Sequence, residues 1–234
     1  MIIVTGGAGF IGSVIIWALN LRGRTDILVV DEDVDFEKLN NLAGLSFKDY
    51  LGKSDFLDAV LARKFRKGTE AIIHMGACSS TTETDASFLV KNNFEYTKYL
   101  AEFAVRESIR FIYASSAATY GDGSKGYSDQ VGDPSLFIPL NLYAFSKQMF
   151  DQWAHRNQLL DKIAGLKYFN VFGPNEYHKG DMRSLVCKGY EEIKQTGRLR
   201  LFKSYLKEYA DGEQVRDFIY VKDAVEMTLF FLDN

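Results

Sequence analysis

A short β-branched run, Ile2-Ile3-Val4-Thr5, ends in Gly6-Gly7-Ala8-Gly9-Phe10-Ile11-Gly12 and opens into Ser13–Arg22. In that last stretch Val14, Ile15, Ala18 and Leu19 fall on one helical stripe. A β-branched strand this short suits the buried centre of a parallel sheet. Glycines three apart, Gly6, Gly9 and Gly12, permit a tight turn, close approach of a bound group and close packing of helix on strand. The first N–H groups of a helix lack intrahelical acceptors and, with the helix dipole, attract anions. Strand, glycine turn and helix N-terminus in this order form a cradle for a pyrophosphate. The fold class that follows is α/β, a doubly wound parallel sheet of Rossmann type that binds NAD or NADP.

The rest of the chain continues the alternation. Ile27–Val30 reads as the second strand and ends in Asp31-Glu32. An acid about 20 residues past the glycines commonly holds the adenine ribose hydroxyls, which favours NAD. Lys38 and Lys53 lie further on and would instead neutralise a 2′-phosphate, as NADP requires, so both cofactors stay open. A helical Ser54–Lys67 precedes the strand Ala71–His74 and the small-residue turn Met75-Gly76-Ala77-Cys78-Ser79. That turn is expected at the carboxyl edge of the sheet against the cofactor, with Cys78 a packing residue. A long helix is expected from about Thr84 to Glu107; within it Asn92 either braces the active-site backbone or faces solvent. Phe111–Ala114 and Ala164–Tyr168 are further strands, separated by a loop-like stretch 122–141 and a helix carrying Tyr143. Beyond them come a helical stretch from about Met182 to Gln195, the segment Arg216–Val221 and a last helix, Lys222–Asp233. Alternating strands and helices specify a parallel sheet. Residues 1–170 read as the cofactor-binding domain and 171–234 as a partial substrate-binding region, with 216–234 returning to the first domain.

The chemistry centres on Tyr143-Ala144-Phe145-Ser146-Lys147. Positions four apart on a helix are neighbours, so a phenol stands beside an ammonium. Free tyrosine titrates near pH ~10, and a nearby cation pulls that value towards neutrality. A phenol tuned in this way exchanges a proton with a substrate hydroxyl during hydride transfer. Ser116, in the strand-end run Ser115–Gly121, is the expected partner of the substrate oxygen; Ser115 or Thr119 would be capping residues.

Composition excludes several classes. The chain has 234 residues, 47% hydrophobic and 25% charged, with a net charge of −3 and dispersed Lys and Arg, so no nucleic-acid surface is expected. Two cysteines, Cys78 and Cys187, and three histidines match no metal spacing, so no metal site is expected. Met1-Ile2-Ile3-Val4 has no basic leader, and the apolar runs Val14–Leu19 and Thr228–Leu232 are far short of a membrane span. A soluble cytoplasmic protein without membrane partners is expected.

With these residues assembled, the sequence closely resembles the ADP-L-glycero-D-manno-heptose 6-epimerases, sugar-nucleotide epimerases of the extended short-chain dehydrogenase/reductase family. The match runs through the whole chain. Gly6–Gly12, Tyr143/Lys147 and Arg216–Val221 are shared with the superfamily, whereas Gly76–Glu83 (GACSSTTE), Tyr113–Gly121 (YASSAATYG) and Tyr168–Gly180 (YFNVFGPNEYHKG) are more specific. His178-Lys179-Gly180 is the most telling, because general sugar-nucleotide epimerases lack that lysine. The resemblance implies inversion at C6 of an ADP-heptose, a precursor of the lipopolysaccharide inner core, with tightly held NADP rather than NAD. It places cofactor contacts at Gly6, Gly9, Phe10, Ile11, Gly12, Asp31, Glu32, Lys38, Lys53, Met75, Gly76, Ala77, Cys78, Ser79, Asn92, Lys147, Val171 and Lys179. It places substrate contacts at Asn170, Asp181, Lys188, Phe202, Lys203, Ser204, Tyr205 and Arg216. The chain departs from the family where Asp181 replaces a frequent Ser and Lys188 a frequent His, and at Lys203-Ser204. Homo-oligomers, commonly pentamers, are implied. Family chains are longer, so a piece of a longer protein is expected.

Inverting a secondary alcohol that has no acidic C–H requires transient oxidation to a ketone. The 6-ketone turns about its exocyclic bond and is reduced on its other face, which moves its oxygen across the pocket. Two bases are therefore implied, Tyr143 and Lys179, with catalysis shared by Lys147 and Ser116; the alternative role of Lys179 is binding pyrophosphate. Dehydratases carry an acid pair where this chain has Ala117-Ala118, which argues against elimination. A 4-epimerase of UDP-glucose type, or a cofactor-binding fragment without turnover, are the other readings.

Overall fold

Strands and helices alternate in the order β1 (Ile2–Thr5), α1 (Phe10–Leu21), β2 (Ile27–Asp31), α2 (Phe36–Leu39), β3 (Asp49–Gly52), α3 (Lys53–Leu61), β4 (Ala71–His74), α4 (Ala86–Leu89), α5 (Tyr96–Arg106), β5 (Arg110–Ser116), α6 (Leu142–Arg156) and β6 (Ile163–Tyr168). The computed structural model describes residues 1–32, 35–128, 130, 132–205 and 207–234. The stretch 122–141, read above as a loop, includes Asp129 and Val131, which lie outside the described residues.

All six strands are parallel, in the order β3-β2-β1-β4-β5-β6. β1 sits in the middle, with Ile3 opposite both Leu28 and Ile72. The order reverses between β1 and β4, where the crevice of a doubly wound sheet opens. Alternate side chains take opposite faces of a strand. Ile2, Val4, Ile27, Val29, Ala71 and Ile73 point to one layer, where they meet Val14, Ile15 and Leu19 of α1. Ile3, Leu28, Val30, Ile72 and Phe111 point to the other, where they meet Phe56 of α3, Leu100 and Phe103 of α5 and Phe150 of α6. Every residue of β1, β2 and β4 is buried, which accounts for their near-continuous apolar sequences.

The helix ends follow their local chemistry. Asn141 caps α6, its side chain accepting the Ala144 N–H at 2.8 Å, and His155 and Arg156 occupy the last turn, where the dipole favours cations. β3, Asp49–Gly52, went unrecognised in the sequence because an edge strand with an exposed Asp has no apolar run. α3 ends at Leu61 instead of running to Lys67; Arg63 takes a positive φ of 57° and stops it. The long helix expected from Thr84 to Glu107 is divided by a π turn, Val90–Glu95, between α4 and α5.

After β6 come β7 (Asn170–Phe172), a 3-10 turn over Tyr177–Met182, α7 (Leu185–Thr196), β8 (Phe218–Tyr220) and α8 (Val221–Asp233). β7 and β8 form a separate parallel pair. Ser184 caps α7 through the Cys187 N–H at 3.0 Å, and Gly197 closes it in the left-handed conformation, φ 69°. On α8, Val221, Val225, Leu229 and Leu232 join the core layer that holds α1. Arg22 bridges the same pair of helices through Glu226 and Asp233, at 2.7 and 2.9 Å. Exposed pairs of this kind contribute up to ~1 kcal/mol, whereas each fully buried Leu side chain contributes roughly 1.5–3 kcal/mol. Apolar burial therefore dominates the seating of α8. Leu229→Ala is expected to lower stability by about 2–5 kcal/mol in urea unfolding, against less than ~1 kcal/mol for Glu226→Ala.

Candidate active site

The glycine turn is built by backbone contact. Gly6 has φ +65°, and a Cβ there would lie 2.6 Å from the Gly76 nitrogen; one on Gly12 would lie 2.1 Å from the Gly6 carbonyl oxygen. No side chain fits at either position. Gly9 forms the N-cap of α1, whose first turn carries no acidic residue, so no negative side chain there opposes an anion at its N-terminal N–H groups. Asp31, 6% exposed, accepts the Ala8 N–H at 3.0 Å, the Glu32 N–H at 2.9 Å and the Lys38 ammonium at 2.6 Å. The acid at the end of β2 thus locks the turn to its neighbouring strand. Lys53 bonds Glu32 at 2.7 Å, also bonds the Asn92 side-chain oxygen, and lies 5.0 Å from the Tyr96 ring centre. A close-approach turn and a helix N-terminus with no acidic residue beside it fit the diphosphate of a nicotinamide dinucleotide.

Across the crevice, Met75–Ser79 follows β4, with Met75, Gly76, Ala77 and Cys78 half-buried and Ser79 exposed. The Gly76 N–H donates to Thr5 Oγ1 at 3.3 Å, and Thr5 lies 2.6 Å from His74 Nδ1. His74 Nε2 lies 2.8 Å from Thr97 Oγ1, which itself donates to the Asn93 carbonyl at 2.6 Å. Because the Thr97 hydroxyl hydrogen is already engaged, His74 carries its proton on Nε2 and accepts from Thr5 at Nδ1. Burial holds the imidazole well below its ordinary pKa, aided by Lys147 and Lys53, so it stays neutral.

Asn93 is the brace. Its side chain accepts the Cys78 N–H at 2.9 Å and donates to the Cys78 carbonyl at 2.9 Å and to Ser146 Oγ at 3.0 Å. The sequence reading offered this role to Asn92, with solvent as the alternative. Asn92 is buried and bonds Asn93 and Lys53 instead. The π turn inserts a residue into the helix and shifts which asparagine faces the strand end; such turns recur at functional sites.

Ser116, Tyr143 and Lys147 meet at the ends of β5 and α6. Ser116 stands beside the Tyr143 phenol and accepts the Ala118 N–H at 3.2 Å, so Ser116 itself caps the turn that follows. Ser115 instead donates to Asp151 at 2.7 Å, and Thr119 to the Ser116 carbonyl at 2.7 Å. Lys147 is 5% exposed and donates to the Ala114 carbonyl at 2.8 Å. Burial lowers its pKa to about 8, with Asp151 opposing. Tyr143 departs from the expectation: burial raises its pKa, and the neighbouring Ser116 hydroxyl only partly offsets that. Neighbouring Lys147 does not bring the phenol towards neutrality, because its ammonium turns to backbone and desolvation is the larger effect. Beneath this group, buried Asp151 also binds Tyr113 at 3.0 Å and Lys167 at 2.7 Å, a network with no local signature in the sequence.

Lys179 lies in the 3-10 turn Tyr177–Met182, its ammonium 5.7 Å from the centre of the Phe10 ring at the glycine turn. Burial lowers its pKa, with Glu176 opposing. Glu176, 1% exposed, accepts the Gly173 N–H at 3.0 Å, the Ser184 N–H at 2.5 Å and the Ser184 hydroxyl at 2.9 Å, which fixes the loop around Lys179. Val171, on β7, packs on the α1 layer. The residues expected to contact substrate are spread more widely. Asn170 donates to the Asp217 carbonyl at 2.8 Å, Lys188 to the Asp181 carbonyl at 3.1 Å and Arg216 to the Val215 carbonyl at 2.7 Å. Phe202, Lys203 and Tyr205 stand exposed, Tyr205 at 94%, while the Ser204 N–H reaches Asp211 at 2.7 Å.

Among the described residues, no helix is long and apolar enough to cross a membrane, and no three His, Cys, Asp or Glu side chains group to hold a metal. The depressed pKa of Lys147 has a measurable consequence. Between pH 8 and the ordinary lysine value the unfolded chain binds the extra proton, so stability rises with pH through that window. Relative to Lys147→Met, the wild-type chain should gain stability from pH 8 to about pH 10 in paired urea titrations, since the remaining titrations are common to both.

Residues 2–234 match the model of the NAD dependent epimerase/dehydratase family. The chain is 54% identical over 234 residues to the ADP-L-glycero-D-manno-heptose-6-epimerase of Nitratidesulfovibrio vulgaris strain DP4, covering 100% of this chain and 72% of that relative. It is 49% identical over 237 residues to the enzyme of that name from Fusobacterium nucleatum subsp. nucleatum, covering 71% of it. Among solved structures, the Helicobacter pylori ADP-L-glycero-D-manno-heptose-6-epimerase superposes with a TM-score of 0.80 at 28% identity, over 99% of this chain and 73% of the other. The UDP-N-acetylglucosamine 4-epimerase of Methanobrevibacter ruminantium M1 gives 0.77 at 26%, over 100% and 73%. The glycine turn, the parallel sheet and the Tyr143–Lys147 helix are thus those of a nucleotide-sugar epimerase: the chain belongs to the NAD-dependent epimerase/dehydratase family, among the ADP-L-glycero-D-manno-heptose-6-epimerases.

Proposed function

We propose that this chain inverts C6 of ADP-D-glycero-β-D-manno-heptose to give the L-glycero epimer, through a transient 6-ketone, for synthesis of the lipopolysaccharide inner core. The observation that carries this reading is the presence of two separately mounted proton-handling groups. Tyr143 stands with Ser116 at the end of β5, and Lys179 stands on a different loop, desolvated beside Phe10. A ketone that must be reduced on its second face presents its oxygen at two positions, and one rigidly held phenol serves only one of them.

A bound nicotinamide cofactor would supply the hydride acceptor and donor. The chain supplies everything else. Tyr143, held as the neutral phenol by burial, gives a proton to the substrate oxygen at one position and Ser116 hydrogen-bonds the same oxygen, while Lys147 supplies positive charge beneath them. Lys179 serves the other position; a lysine moved down from its ordinary pKa by burial acts as a base closer to neutrality. Asn93 keeps the Cys78 backbone and the Tyr143 helix in register through Ser146. The glycine turn, with Phe10 and Ile11, receives the diphosphate, and Met75–Ser79 and Val171 line the nicotinamide side. Asn170, Asp181, Lys188, Phe202–Tyr205 and Arg216 belong to the substrate side in this reading.

The preferred cofactor is NADP. Asp31 is already bound to Ala8 and Lys38, and Lys38 and Lys53 both stand at the β2 end, where a 2′-phosphate would lie. Residues 1–170 hold the cofactor, 171–234 begin the substrate cover, and 216–234 return to the first domain, a division supported by the apolar face of α8. A cytoplasmic homo-oligomer completes the proposal.

Incubation with ADP-heptose and, separately, with UDP-glucose tests the substrate: conversion of the first alone is expected, and conversion of UDP-glucose alone would favour a 4-epimerase. Lys179→Met should reduce C6 epimerisation by about 10²–10⁴-fold while cofactor stays bound; full-rate epimerisation would overturn the two-base reading. Lys53→Gln should weaken NADP binding about tenfold or more by calorimetry, with NAD affinity little changed.

A further inference from the structure

Three hydrogen bonds from distant parts of the chain converge on one side chain outside the residues discussed above. Asn41 Nδ2 lies 3.0 Å from the Ala8 carbonyl, 3.2 Å from the Asn175 carbonyl and 3.1 Å from His178 Nδ1. Both carbonyls can only accept, which fixes the orientation of the amide. His178 Nδ1 is therefore an acceptor too, and the two amide hydrogens are shared among three acceptors. A second link runs beside the first: Asn175 Nδ2 donates to Ser13 Oγ at 2.9 Å, from a residue in the left-handed region, φ 76°. Ala8 and Ser13 belong to the glycine turn and the first turn of α1, whereas Asn175 and His178 belong to the loop that carries Lys179.

We infer that Asn41 is a positioning residue: its amide latches the Lys179 loop onto the glycine turn, so that the loop lies across the crevice that receives the cofactor's diphosphate. The Glu176 bonds make the loop stiff within itself, but they attach it only to Gly173 and Ser184, which are parts of the same segment. Among the described residues, the side-chain hydrogen bonds that attach it to the glycine turn and α1 are those of Asn41 and Asn175. Without the latch the loop swings as a unit, the diphosphate is uncovered and Lys179 loses its place over Phe10. This rests on the proposed role of Lys179 for its catalytic consequence, but not for its effect on cofactor release.

The latch also depends on the state of His178. Only the neutral ring accepts at Nδ1, and the surroundings of His178 favour that state: burial disfavours a positive charge and Lys38 and Lys179 add to it, with the Asn175 backbone and Asp35 opposing. Protonation of His178 would replace an acceptor by a donor and set it against the Asn41 amide. In Asn41→Asp the carboxylate cannot donate to either carbonyl, yet it accepts a hydrogen bond from a protonated His178. Its defect should therefore be largest at neutral pH and recover towards pH 5.5.

The test uses the full chain loaded with NADP. Stopped-flow dilution into excess competing nucleotide measures cofactor release, alongside NMR titration of the histidines and thermal melts. For Asn41→Ala, release is expected to accelerate about tenfold, and the His178 titration to move up because its amide donor is lost. For Asn41→Asp, release should be faster than wild type at pH 7.5 and return towards the wild-type rate at pH 5.5. Release at the wild-type rate in both variants, or an unmoved His178 titration, would overturn the latch. If Asn41→Ala fails to fold, the pH dependence of Asn41→Asp decides alone. A wild-type chain that leaves ADP-heptose unchanged, combined with fast release from Asn41→Ala, would remove the substrate assignment and leave the latch standing.

Discussion

The contact between the backbones of Gly6 and Gly76 is the constraint on which the rest of the site depends. β1 and β4 are neighbours at the point where strand order reverses, and their two exit turns leave the sheet touching. A methyl group at Gly6 would collide with Gly76, and one at Gly12 with the Gly6 carbonyl. Because no side chain intervenes, Thr5 reaches both Gly76 and His74, and His74 carries the connection on through Thr97 to Asn93. Ala8, on the other side of the turn, is held by Asp31. A single chain of short bonds thus runs from the end of β2 across two turns to the helix that braces Cys78.

Within this frame, burial outweighs charge in setting the pKa values of Tyr143, Lys147 and Lys179. Two unit charges 4 Å apart interact by ~4 kcal/mol at the effective dielectric typical of proteins, enough to move a phenol by a few pH units. Lys147 does not deliver that to Tyr143, because its ammonium is directed at the Ala114 carbonyl and is itself pushed down to about 8. Tyr143 is pushed up and Lys179 down. Desolvation moves each group towards its uncharged form, as it must when acids and bases share a dry site. The site therefore resists isolated charge.

What the sequence disclosed was what local pattern can encode. The buried strands β1, β2 and β4 announce themselves by unbroken apolar runs, the glycine turn by spacing, and Tyr143 and Lys147 by their separation on one helix. What stayed hidden depends on register or on distant partners. Asn92 and Asn93 are adjacent and chemically identical; a π turn, which no periodicity in the sequence reveals, decides which one meets Cys78. β3 is an edge strand defined by its pairing with β2, not by its own composition. The direction of the Tyr143 shift follows from how much protein surrounds the ring, which helical spacing does not report. Asp151 and Lys167 are 16 positions apart and come together only when β6 pairs with β5.

The two sides of the crevice are held by different forces, and this separates their tolerance of change by physical cause. The cofactor side rests on a parallel sheet with core on both faces, so its turns inherit the rigidity of packed strands. The Lys179 loop has no buried residue in its 3-10 turn and keeps its shape through the buried Glu176 carboxylate bonding across it. A buried acid of this kind must keep all its partners, because a lost donor leaves a charge without solvation. The loop is consequently stiff as a piece while its placement over the glycine turn rests on a few side-chain bonds. Precision at Tyr143 comes from the sheet, and precision at Lys179 comes from hydrogen bonds that span more than 130 residues of sequence.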